Sequence, residues 1–280
     1  MTPTLSLLSP AKLNLFLHIT GQRADGYHVL QSVFQLLDYG DTLQFTPDNS
    51  GQISLLGDNL ALAPQDNLIM RAARLLQSSR QNSRSGIQIT LHKRIPMGGG
   101  LGGGSSNAAT TLLVLNHLWQ CGYSNGELQA MGLSLGADVP VFVAGHSAWA
   151  EGVGEQLTPL DIPPRWYVII HPGCHISTGE IFSDRQLTRN SHAITIAAFF
   201  QGESRNDCEA VVVNHYPEVA KALKWLGKFG NSRLTGTGAC IFGSFANEEK
   251  ASAVVKQIPE PWTGFMARGL RQSPVLQILA

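Results

Sequence analysis

Charge of either sign is scarce in this sequence, and neither sign prevails. Lys and Arg number 20, Asp and Glu number 20, and together they make up 14% of 280 residues. Without a basic field, no face can hold nucleic acid by general attraction to phosphate, so any phosphate recognition has to be local. Cysteine is equally sparse. Cys121, Cys174, Cys208 and Cys240 are widely spaced and form no CxxC pair, which points to reduced thiols in a cytosolic protein. Long apolar runs are missing too. The stretch from residue 5 to residue 19 is interrupted by Pro10, Lys12, Asn14 and His18 and lacks a basic leader, which argues against a signal peptide. No run approaches the roughly 20 residues of a membrane helix. These absences predict a soluble, cytoplasmic protein whose partners include no nucleic acid and no membrane. Hydrophobic residues, at 43%, suffice for a packed core, and the length suits one large domain or two sharing a cleft.

The hydrophobic pattern predicts a strand over residues 11–20, with Leu13, Leu15, Leu17 and Ile19 on the core face and Lys12, Asn14, Phe16 and His18 on the other. A second apolar run covers residues 29–37. Short strands are expected at 42–45 and 52–56, around a turn at 47–51, and another at 87–91. Asp66 and Asn67 open a predicted helix in which Leu68, Ile69, Ala72, Ala73, Leu75 and Leu76 recur at helical spacing. A helix rich in leucine follows the glycines near residue 100, with Ser105 or Ser106 as its expected N-cap, and a further helix covers 125–135. Gly152, Gly154, Pro159, Pro163 and Pro164 mark a shift in composition that suits a domain boundary. The expected units are residues 1–155 and 156–280. In the second, strands are predicted at 166–171 and 240–245 and helices at 208–215, 217–229 and 247–257. Two α+β layers fit this order better than a doubly wound parallel sheet.

The strongest signal is PMGGGLGGGSS, residues 96–106, where six glycines occur in the seven positions from Gly98 to Gly104. Bare backbone there lets several N–H groups converge on one anion, assisted by the dipole of the helix that follows. A Rossmann dinucleotide loop would need its first glycine close behind a strand and an acid about 20 residues later. Here residues 93–97 intervene, and no Asp or Glu occurs between the loop and Glu127. A Walker A loop would need Lys directly before the serine, where Gly104 stands. A merely flexible glycine turn is a poor match for a segment between a strand and a serine-opened helix.

PMGGGLGGGSSNAA resembles the phosphate-binding motif of the GHMP kinases. SPAKLNLFLHITGQRADGYH, DNLIMRAA, LGADVPVF and RLTGTGACIF, in this order along the chain, extend the resemblance over essentially its full length. They point to the branch of the family whose acceptor carries a cytidine diphosphate. The resemblance implies a two-domain α+β fold: an N-terminal nucleotide-binding domain, a ferredoxin-like C-terminal domain and the active site in the cleft between them. It implies an ATP- and Mg²⁺-dependent kinase that phosphorylates an alcohol by direct in-line transfer, as a monomer or weak homodimer. Another alcohol kinase of the family, such as a homoserine or mevalonate kinase, is the alternative.

The resemblance also assigns roles. Lys12, by itself only a strand lysine, becomes a catalytic cation. Asp138, in Gly136-Ala137-Asp138-Val139-Pro140 and otherwise a turn aspartate, becomes the group that orients the acceptor hydroxyl. The nucleotide would lie on Pro96, Met97, Gly98, Gly99, Gly100, Leu101, Gly102, Gly103, Gly104, Ser105 and Ser106, with Asn67 and Lys93 at the adenine end. Ser106 is the expected Mg²⁺ ligand. On the substrate side stand Asn14, Thr178, Gly236, Thr237 and Gly238, with Tyr27 and Phe182 sandwiching a cytosine whose edge His28 reads. His171, Cys174 and His175 mimic a cluster of metal ligands, but no fourth ligand follows at a recognisable spacing.

Overall fold

The computed structural model describes residues 4–57, 63, 65–78 and 85–279. Two very long antiparallel strands, β1 (Leu5–Gln22) and β2 (His28–Asp48), form its spine. Around them the first half adds β3 (Ile53–Gly57), α1 (Leu68–Ser78), β4 (Gly86–His92), α2 (Gly103–Leu118), α3 (Asn125–Leu133), α4 (Val139–Ala144), β5 (Ala148–Glu151) and β6 (Gln156–Pro159). The second half contributes β7 (Trp166–His171), α5 (Thr178–Ser183), α6 (Ile196–Phe200), α7 (Glu209–His215), α8 (Pro217–Leu226), β8 (Ser232–Leu234), β9 (Ile241–Phe245), α9 (Glu248–Val255), β10 (Thr263–Leu270) and α10 (Pro274–Leu279). The strands run β3-β4-β2-β10-β7-β9-β8, with β1 and β5 on β2 and β6 on β5. All pairs are antiparallel except β3 with β4, so the fold is mixed α+β, as the element order implies.

Three expectations need correction. Residues 42–45 are not a separate short strand but the far end of β2. The segment at 52–56 does not pair back on it across a turn, because β4 lies between them, antiparallel to β2 and parallel to β3. And β1 has no solvent face. Lys12, Asn14 and His18 are buried like the leucines that alternate with them, because helices cover one side and the C-terminal strands pack on the other.

Two apolar cores flank this spine. One joins β2 and β4 to α1, α2 and α4, around Phe45, Ile89 and Leu112. The other joins β7 and β9 to α7, α8 and α9, around Val168, Ile241 and Ala222. Between them, Leu13, Leu15 and Phe16 of β1 pack on Tyr167, Ile169 and Phe242. No helix among the described residues is long and apolar enough to cross a membrane. Leu112, fully buried in the first core, is tightly enclosed, so Leu112→Ala should lower the unfolding free energy by about 3 kcal/mol, checked by urea denaturation.

Candidate active site

Two irregularities in β1, between Pro10 and Lys12 and between Asn14 and Leu17, isolate the stretch that carries the chemistry. Bulges re-aim side chains. Here the second one reverses the parity of the strand, so that Lys12, Asn14 and Leu17 all line one cavity of about 300 Å³ together with Asp138, Thr178, Phe182, Gly236 and Thr237. A larger cavity, of about 610 Å³, is lined by Pro96 to Ser105 together with Asn67, Lys93, Asn107 and His175. The two meet at Gly100, Gly102 and Ser105.

The glycine loop is held open by its own backbone. Gly98, Gly100 and Gly102 have φ of 68°, 73° and 71°, and alternation with residues of the ordinary hand turns successive N–H groups toward one side, an anion nest. Leu101, between them, is buried and anchors the loop. A Cβ on Gly100 would collide with the Thr235 carbonyl, and one on Gly102 would stand 2.9 Å from the Phe142 ring and 3.2 Å from Lys12 Cε. The loop is also tied to both halves of the chain. Lys12 N–H donates to the Leu101 carbonyl at 3.0 Å, and the N–H groups of Ala239 and Cys240 donate to Gly98 and Gly99 at 3.1 and 3.2 Å.

Neither serine caps α2. The cap is Gly102, with no side-chain bond to the helix, so the first N–H groups of α2 stay available to an anion. Ser106 is fully buried and its hydroxyl lies 2.8 Å from that of Ser9. One residue earlier on a helix of 3.6 residues per turn, Ser105 lines both cavities. Ser105 therefore faces the cleft, whereas Ser106, the expected Mg²⁺ ligand, lines neither cavity.

At the inner end of the nucleotide-sized cavity sits a residue the sequence did not flag, Asp41. Fully buried, its carboxylate accepts from Lys93 Nζ at 2.7 Å, from the backbone N–H of Arg94 and Ile95 at 2.8 Å each, and from Asn107 Nδ2 at 2.9 Å. This fixes Lys93 beside Gly103, where a Cβ would stand 2.9 Å from Nζ. It also fixes the sense of the Asn107 amide, whose buried Oδ1 is left without a protein partner among the described residues. Asn67 combines cavity lining with capping, its Oδ1 accepting the Ile69 N–H at 2.9 Å. His175, in the segment that mimicked a metal site, packs on the glycine loop instead: a Cβ on Gly98 would lie 2.6 Å from its Nδ1.

Lys12 is 3% exposed. Its ammonium donates to Asn14 Oδ1 at 2.6 Å and to the Gly100 carbonyl at 2.8 Å, and lies 3.3 Å from Asp138 Oδ2 and 5.5 Å from the centre of the Phe34 ring. Asn14 is itself locked, its Nδ2 donating to Ser32 Oγ at 2.9 Å and its N–H to Thr235 Oγ1 at 3.0 Å. Asp138, 36% exposed, stands at the head of α4 without capping it and keeps its carboxylate in the cleft. A cation and a carboxylate are thus brought to the junction of the two cavities from elements more than a hundred residues apart.

Farther out, Thr178 and Thr237 share a hydrogen bond of 2.9 Å. Gly236 and Thr237 line the smaller cavity, while the Gly238 carbonyl braces Gly100. The three rings expected around a cytosine stand at the outer end of the cleft. Phe182 stacks on His28, with ring centres 5.0 Å apart at 24°, whereas Tyr27 is 62% exposed, held on a tight turn by the Arg23 N–H to Tyr27 carbonyl bond of 2.7 Å. His28 Nε2 accepts from Arg189 Nε at 3.1 Å. Burial, and then the neighbouring guanidinium, lower the His28 pKa, so the ring is neutral at pH 7 and its remaining proton lies on Nδ1, a donor.

Family models for the GHMP kinases match twice, the N-terminal domain over residues 67–146 and the C-terminal one over 187–264. The chain belongs to the GHMP kinases. Over 99% of its length it is 53% identical to the 4-diphosphocytidyl-2-C-methyl-D-erythritol kinase of Hahella chejuensis (strain KCTC 2396), covering 97% of that protein. A crystal structure of 4-(cytidine 5′-diphospho)-2C-methyl-D-erythritol kinase superposes with a TM-score of 0.83 at 31% identity, over 95% of this chain and 99% of that one. A mevalonate kinase structure, at 16% identity and a TM-score of 0.68 over 96% and 100% of the two chains, shares the fold.

Asp41→Asn replaces a buried carboxylate that has four donors by an amide facing an ammonium. It should destabilise the chain by about 3 kcal/mol, read by thermal unfolding. It should also weaken binding of a non-hydrolysable ATP analogue, read by calorimetry on the folded variant.

Proposed function

We propose that this chain transfers the γ-phosphoryl group of ATP to the 2-hydroxyl of 4-(cytidine 5′-diphospho)-2-C-methyl-D-erythritol, a step of the non-mevalonate isoprenoid pathway carried out in the cytoplasm. The observation that carries the reading is the Lys12–Asp138 pair, 3.3 Å apart where the glycine-loop cavity opens into the smaller one. The relative at 53% identity supports the choice of acceptor. The stacked His28 and Phe182 add a flat aromatic surface and an N–H donor suited to a pyrimidine, features a homoserine or mevalonate kinase has no need of.

In this reading the triphosphate lies on the nest of Gly98, Gly100 and Gly102 and the open first turn of α2, with the adenine toward Asn67, Lys93 and Asn107. The acceptor's hydroxyl meets Asp138. Phosphoryl transfer through a loose transition state asks little early proton removal of a base. Asp138 therefore orients the hydroxyl and accepts its proton late, and Lys12 offsets the charge growing on the transferred oxygens. The residues present also suit Mg²⁺ delivered with ATP: one carboxylate and one hydroxyl, Asp138 and Ser105, face the cleft, and the ion's remaining ligands are ordinarily phosphate and water. When bound, it would neutralise charge between the phosphates.

Asp138→Asn should leave affinity for an ATP analogue nearly unchanged and reduce kcat by about 10² to 10⁴-fold, measured by coupled ADP release; full turnover by that variant would remove Asp138 from the mechanism. A panel of alcohols tests the acceptor. ADP release should be fast with the cytidylylated tetritol and negligible with homoserine, mevalonate and galactose, and preference for any of the last three would overturn the assignment.

A further inference from the structure

On the opposite side of β1 from Lys12 lies a third cavity, of about 270 Å³, bounded by Leu15, Tyr167, Phe199 and Phe200 and lined also by two arginines, Arg165 and Arg233. It plays no part in the site described above. None of the residues lining it is acidic, and neither arginine takes part in an ion pair among the described residues. Arg233 spends one amino group on the protein, its Nη1 donating to the Leu15 carbonyl at 2.9 Å and to Ser204 Oγ at 2.8 Å. Those two bonds fix the plane of the guanidinium without neutralising it. Burial lowers its pKa, and the charge of Glu209 restores part of the shift. Phe200, 50% exposed, stands at the rim, while Phe199 is packed on Phe16 with ring centres 5.5 Å apart.

We propose that this rear cavity is a second ligand site, for a small anion with an apolar or aromatic body and a phosphate or carboxylate head. Arg233 is partly withdrawn from water, and an anion bound beside it would supply acceptors that solvent no longer gives in full, while the exposed Arg165 adds a second positive charge at the rim. Two arginines lining one cavity favour a planar or tetrahedral oxyanion, which a guanidinium meets through paired N–H groups. The aromatic and aliphatic walls take the body of the ligand. At about 270 Å³ the cavity lies just below the ~300 to 1,000 Å³ common for larger ligands, a size that suits a small anion. The site shares a wall with the catalytic centre, since Leu15, whose carbonyl Arg233 holds, adjoins Asn14, the residue that positions Lys12.

The test uses the full chain and three probes followed by calorimetry: phenyl phosphate, benzoate and inorganic phosphate, each with and without a saturating non-hydrolysable ATP analogue. Phenyl phosphate or benzoate should bind saturably whether or not the analogue is present. The tighter of the two identifies the head group, and inorganic phosphate, lacking the apolar body, should bind at least tenfold more weakly. Arg165 is exposed, so Arg165→Glu should fold normally and weaken the better probe by about tenfold or more. Phe200→Ser should weaken it while preserving the charge. The proposal fails if neither aromatic probe saturates at millimolar concentration, if the ATP analogue displaces the better one, or if Arg165→Glu binds it as well as the parent.

Discussion

A lysine ammonium almost sealed from water has to be compensated by its neighbours, and the arrangement of this molecule around its cleft follows from how Lys12 achieves that. Attraction to Asp138 at 3.3 Å amounts to about 5 kcal/mol at an effective dielectric near 20. Desolvating an ammonium costs several kcal/mol, so the ion pair alone does not make the burial favourable. The remainder comes from two fixed acceptors, Asn14 Oδ1 and the Gly100 carbonyl, and each exists only because another part of the chain is in place. Asn14 is held by Ser32 of β2 and by Thr235. Gly100 is held against Thr235 and Gly238. Stability would be served as well by apolar residues here. Retaining the charge makes sense only if it acts.

The same logic accounts for the glycine loop. In the proposed reading phosphate is bound by peptide N–H groups whose direction is set by backbone alone, and side chains would block either the anion or the strands packed behind. Lys12 Cε and the Phe142 ring lie where a Cβ on Gly102 would need to stand. The loop is therefore rigid rather than mobile, clamped by Leu101 in the core and by three backbone bonds to β1 and to the 239–240 segment. Preorganised donors of this kind need no rearrangement as charge develops on the transferred group.

How much of this was legible in the sequence depended on whether a feature is written locally. The strand Trp166–His171 and the helix Leu68–Ser78 carry apolar periodicity bounded by turn residues, and both emerge where the pattern put them. The glycine loop is local as well, and the resemblance it carried gave the family. Features that depend on distant partners were hidden. Lys12, Asn14 and His18 read as a solvent face because polar alternation in a strand usually means water, and nothing nearby says that the second layer of strands will cover it. The apolar segment Val139–Ala144 has too little period to announce a buried helix. Asp41 looks like an ordinary acid between two apolar runs, and its donors lie 52 to 66 residues away. A buried carboxylate cannot be recognised until its donors are placed.

Asp41 also shows why the two ends of the nucleotide cavity are coupled through one acid. Lys93 and Asn107 both bond its Oδ2, while the N–H groups of Arg94 and Ile95 bond its Oδ1. The carboxylate thus fixes the exit of β4, the flank of α2 and the cation between them as one rigid unit. Lys93, if released, would be free to fold onto the phosphate nest and compete with Lys12 for the same oxygens. In the proposed reading, holding one ammonium at the inner wall leaves the other as the principal cation at the point of transfer, and that separation of two like charges gives the cleft its direction, with nucleotide on one side and acceptor on the other.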